Sequence, residues 1–172
     1  MPQFSLRGKV MMIDNSRLAP LRIFDYVSPD RTRGWKVISA HIWPLTTRAD
    51  TGSTEGKIVT DWALATDDGS AVDWNHVKDP SENRTFAWGT WAGYLREWSG
   101  GDFITPEYAG EPCFLIDPDT FVVKELWIQG ACTTESTTNP EREYGYMIVL
   151  EEQKISPSLS VFQQIKGMGQ DV

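Results

Sequence analysis

Turn signals recur at short intervals along this chain, and that spacing constrains its fold more than any other feature. They fall at Asp14-Asn15, Ser28-Pro29-Asp30, Thr51-Gly52, Asp67-Asp68-Gly69, Asp79-Pro80, Gly100-Gly101, Asp117-Pro118-Asp119 and Asn139-Pro140. Between them lie short runs rich in Val, Ile, Thr, Trp, Phe and Tyr. A chain punctuated this often has no room for long helices, and it predicts an all-β, antiparallel β-sandwich or jelly-roll-like fold. With 172 residues and 40% hydrophobic content, it is expected to form one domain spanning 1–172 around a substantial core.

The runs predict individual strands. Lys9–Asp14 and Leu21–Val27 are the first two. Trp35–Thr46 follows, with Trp35, Val37, Ser39, His41 and Trp43 expected on one face and Lys36, Ile38, Ala40 and Ile42 on the other. Neither face is uniformly polar, which predicts a central strand covered on both sides; at Pro44 it should end, bulge or run along an edge. Ile58–Thr66 places Thr60, Trp62, Leu64 and Thr66 on one face and Asp61, Ala63 and Ala65 on the other. Thr85–Trp91 is a further strand. In WAGYLREW (91–98), Trp91, Tyr94, Leu95 and Trp98 repeat at helical spacing before Gly100-Gly101, which predicts a short helix near 91–98.

Thr120–Ala131 and Tyr144–Ile155 are strand-like, and TTESTTNPERE between them is too long for a tight turn. It reads as an exposed, mobile loop joining two antiparallel strands, or as a disordered spacer. At the C-terminus the period changes. Pro157 and Ser158 signal a helix start, and Leu159, Phe162 and Ile165, with Val161 and Met168, form an apolar stripe over 157–168. A helix of about three turns is not stable alone in water, so it must pack on the sheet or on another chain.

No chemical motif stands out. His41 and His76 are the only histidines, and each reads as a structural or surface residue: His41 as a rung of a strand, His76 in the turn-like DWNHVKDP. Cys113 and Cys132 lack metal-binding spacing, so no zinc site is expected, and a buried small hydrophobe is the simpler reading of each. Asp117-Pro118-Asp119 has the character of a Ca²⁺ loop but equally of an ordinary turn. Glycine-rich phosphate loops are missing. No catalytic residue, metal or cofactor is therefore assigned, and a non-enzymatic protein is expected.

Charge narrows the partners. The formal net charge is -8, and all of it lies in the C-terminal half: residues 1–86 carry 11 basic and 11 acidic side chains, residues 87–172 carry 5 and 13. Such a chain is a poor binder of phosphate backbones, so no nucleic acid is expected. No apolar run approaches the length of a membrane span, and the N-terminal residues show no secretory pattern, so synthesis in the cytosol is expected. The eight tryptophans point instead to protein contact, or to a sugar-stacking platform.

Two stretches, GWKVISAHIWPLTTRAD and YGYMIVLEEQKISPSLSVFQQIKGMGQDV, resemble short all-β proteins of bacteriophages, many of them marine, that look like virion components. The resemblance covers about a quarter of the chain. It implies a capsid-associated or tail-associated structural protein in the virion, present in many copies and bound to other virion proteins and to itself. On that reading Trp35, Trp43, Trp88, Trp91 and Trp98 are the candidate interface or core aromatics, and Leu159, Phe162 and Ile165 the docking stripe. The alternative is a glycan- or receptor-binding β-sandwich module.

Overall fold

The computed structural model describes residues 2–13, 16–26, 32–45, 56–68, 84–96, 103–106, 115–134 and 141–168. In chain order the strands are β1 (Gln3–Ile13), β2 (Arg17–Asp25), β3 (Arg33–Pro44), β4 (Gly56–Ala65), β5 (Thr85–Arg96), β6 (Phe103–Pro106), β7 (Leu115–Ile116), β8 (Glu125–Thr134) and β9 (Glu141–Lys154), followed by the helix α1 (Pro157–Met168). They form two antiparallel sheets. One has the order β1-β9-β3, the other β2-β8-β4-β5-β6, with β7 also on β5.

These pairings are those of one long hairpin rolled into two layers. β1 lies against β9, β2 against β8, β3 against a bridge from Trp35 to Val122, and β4 against β5. Rolling that hairpin brings β9 beside β3 and β8 beside β4, which is the connectivity of a jelly roll. It separates β8 from β9. The two strands expected to pair across 133–143 instead lie in different sheets, because each is already flanked on both sides. The intervening residues 135–140 lie outside the described residues.

Two other expectations are corrected. Residues 91–96 continue β5 and are not helical. Lys57, Gly56 and their neighbours pair with Tyr94 and Leu95 on one side, and β6 pairs on the other. Two ladders of backbone hydrogen bonds outweigh a weak helical pattern in eight residues; Trp98 lies outside the described residues. In β3 the register slips between Val37 and Ser39. Ile38 is the extra residue of a β-bulge, which reverses the parity of the strand. Trp35 and Val37 therefore share the inner face with Ala40 and Ile42, while Ser39, His41 and Trp43 point outward. The turn at Asp117 is also settled: its carboxylate accepts from the Asp119 amide (3.0 Å) and the Thr120 hydroxyl (2.7 Å), the pattern of an Asx turn.

The inner faces form one apolar cluster. Val10, Met12, Val37, Ala40, Ile42, Tyr144, Ile148 and Leu150 from the first sheet meet Trp62, Leu64, Phe86, Ala87, Leu126, Ile128 and Cys132 from the second. Trp62 and Tyr144 pack edge to face at 5.2 Å. The Tyr144 hydroxyl lies 2.8 Å from that of Thr60, a hydrogen bond from sheet to sheet, with Cys132 Sγ 3.9 Å away. Burial pushes the Tyr144 phenol well above its ordinary pKa, so it stays protonated. Gly130 makes room for this packing, since a Cβ there would stand 2.6 Å from the Trp62 ring.

The second sheet is buried on its other face too. Ala63, Ala65 and Gln129 have no exposed surface and lie outside the apolar cluster. Among the described residues neither amide atom of Gln129 has a hydrogen-bond partner. An unmet buried amide costs about 1–3 kcal/mol, so Gln129→Met is expected to raise the unfolding free energy by roughly that amount in a urea titration. Tyr144→Phe is expected to act oppositely, lowering stability by about 1–2 kcal/mol, because the buried Thr60 hydroxyl loses its oxygen partner.

Candidate functional site

The outward face of the β1-β9-β3 sheet is unusual for a sheet surface. The cross-strand register arranges its side chains in rows: Trp43, Gly145 and Lys9; then His41, Met147 and Arg7; then Ser39, Val149 and Ser5. Beyond the first row lie Met11 opposite Glu143 and Ile13 opposite Glu141. An antiparallel sheet with one solvated face normally carries polar residues there. Here Met11, Ile13, Ile38, Trp43 and Leu45 are all exposed.

The centre of this face is an open hollow of ≈ 470 Å³, lined by Arg7, Lys9, Trp43, Leu45, Gly145 and Met147 together with Gly8 and Tyr146. Gly145 shapes it. A Cβ there would meet Trp43 Cε2 and Cζ2 at 3.1 Å and Leu45 Cδ2 at 3.0 Å, so the missing side chain lets the indole lie across β9 toward β1. Trp43 remains 37% exposed. Lys9 reaches Glu143 at 3.0 Å, and Arg7 Nε donates to Ser5 Oγ at 3.2 Å. Tyr146 lines the hollow by its backbone; its ring lies on the inner face over Gly8 and packs against the core, and burial there raises the pKa of its phenol.

A second exposed apolar surface is on α1. Ser156 caps the helix: its hydroxyl accepts from the Leu159 amide at 3.1 Å, and Pro157 takes the first helical position. The helix sits on the body through Ser160, which is buried, and through Gln163, whose amide donates to the Asp119 carbonyl at 3.2 Å. Leu159 leans partly inward. Val161, Phe162 and Ile165 face outward, with Phe162 63% exposed.

The other candidate aromatics are dispersed. Trp35 belongs to an inner cluster with Phe4 (4.7 Å), Tyr26 (5.5 Å) and Phe24 (6.0 Å), all edge to face. Trp91 is half-buried against the core, and Trp88 is half-buried with its Nε1 enclosed. Of the tryptophans proposed from sequence, Trp43 alone among the described residues reaches substantial exposure. Sequence reading missed Gly145 and the row of Met11 and Ile13, which the alternation of QFSLRGKVMMI would have placed opposite Val10 and Met12. His41 is an outward rung across from Met147; His76 and Cys113 lie outside the described residues.

Among the described residues no group of three or more His, Cys, Asp and Glu is arranged to hold a metal, and no helix is long and apolar enough to cross a membrane. No protein family matches this chain, no curated protein is similar to it, and no solved structure matches its fold.

The Cys132 thiol is buried beside Thr60 and Tyr144. In a Cys113→Ser background its thiol is therefore expected to resist a chromogenic disulfide reagent in native buffer and to react within the mixing time in denaturant. Rapid native labelling would refute this packing.

Proposed function

We propose that this chain is a non-enzymatic structural component of a bacteriophage virion, acting through protein–protein contacts with other virion proteins and with copies of itself. The observation that carries this reading is the outward stripe of α1. Apolar side chains at Val161, Phe162 and Ile165 gain nothing from solvent, and the helix is seated without them by Ser160 and Gln163. An exposed stripe of that kind has the composition of a docking surface. The exposed Met11, Ile13 and Ile38 add a second apolar surface at the sheet. Two exposed apolar surfaces on one chain suit a subunit that repeats in an assembly. Jelly rolls serve capsids, lectins and cupins alike, so connectivity supports this reading without selecting it. The resemblance of the two terminal stretches to virion proteins favours the particle.

Light scattering over a concentration series tests the proposal. The full chain is expected to show a mass that grows with concentration. Phe162→Asp with Ile165→Asp, or truncation after Ile155, is expected to shift the midpoint of assembly by tenfold or more, about 1.4 kcal/mol or above. Assembly unchanged in both variants would remove α1 from the interface.

A further inference from the structure

We infer that the hollow at Trp43 is a binding site for a carboxylated sugar, with Trp43 as the stacking platform and Arg7 as the carboxylate anchor. The site is separate from α1. Gly145 stands about 30 Å, at ~3.3 Å per residue, from Lys154 at the end of β9, and the helix follows Lys154. A partner seated on Phe162 and Ile165 leaves the hollow open.

Three features define the ligand. The first is the indole. Gly145 holds it along the sheet and leaves it partly exposed, a flat apolar surface that suits the C–H face of a pyranose ring. The second is charge. Lys9 is matched by Glu143 at 3.0 Å, whereas Arg7 makes no ion pair among the described residues and its only bond there is to Ser5. A guanidinium with free N–H groups binds a carboxylate in a two-pronged geometry. The third is the floor. β9 is hydrogen-bonded to β1 on one side and β3 on the other, so the backbone beneath the indole is already paired and only side chains of this floor can meet a ligand. Two cations in a chain of net charge -8 do not make a nucleic-acid surface. An open hollow of ≈ 470 Å³ has room for one or two sugar rings. The Lys9–Glu143 pair stands at its margin to meet ring hydroxyls.

The test uses the full chain, uniformly ¹⁵N-labelled, titrated with 3′-sialyllactose, digalacturonate and lactose, with the Trp43 indole N–H as the reporter. Both acidic sugars are expected to shift that signal with a Kd in the millimolar range or tighter, and lactose to bind at least about tenfold more weakly. Arg7→Gln is expected to erase the preference for acidic sugars. Trp43→Ala is expected to abolish binding to all three, read from other shifted amides, while the remaining indole signals report that the fold is intact. The Phe162→Asp, Ile165→Asp variant is expected to bind as the parent does, which keeps this outcome independent of the assembly reading. No shift with either acidic sugar at about 20 mM overturns the inference. So does equal affinity for lactose, or an acid preference that survives Arg7→Gln.

Discussion

The contact of Trp62 with Tyr144, closed by the Thr60–Tyr144 hydroxyl bond, is the interaction on which the two-layer arrangement turns. Trp62 and Thr60 belong to β4, the middle of one sheet; Tyr144 belongs to β9, the middle of the other. Each sheet is thus gripped at its central strand. The phenol is kept neutral by burial, and its hydroxyl and that of Thr60 satisfy each other. Gly130 and the small Ala63 and Ala65 follow from that choice, since β4 is covered on both faces and the Trp62 ring needs the space beside it.

Fixing the central strands fixes what is left outside. β9 lies between β1 and β3, so the outer face of that sheet has only three strands and a narrow set of rows. The bulge at Ile38 matters most here. It allows Trp35 to complete the aromatic cluster with Phe4, Phe24 and Tyr26 while sending His41 and Trp43 outward on the same strand. One inserted residue serves both the core and the candidate site.

The same geometry manages the sheet edges. β1 runs unbroken from Gln3 to Ile13 at the edge of its sheet, and Arg7 and Lys9 stand on its outer face. Charges on an edge strand discourage uncontrolled pairing with another chain. Pro44 ends β3 at the other edge. The exposed apolar side chains lie away from these edges, on α1 and on the outer rows of the sheet.

Period and punctuation in the sequence determined the fold class. Alternation in IVTDWALAT located Thr60, Trp62 and Leu64 in the core, the dense turn signals excluded a helical protein, and the change of period after Ser156 located α1 and its stripe. These signals are local, and local backbone preference survives folding when nothing opposes it. Tertiary structure decided the rest, because the deciding interactions join residues far apart in the chain. β8 and β9 read as a hairpin until each finds partners more than sixty residues away. WAGYLREW reads as a helix until β4 and β6 pair with it. The faces of β3 cannot be assigned without β9, since a bulge exists only relative to a partner strand. Trp43 is a site candidate for the same reason: its exposure depends on Gly145 and its charged neighbours on Arg7 and Lys9, brought beside it by a register that no single segment encodes.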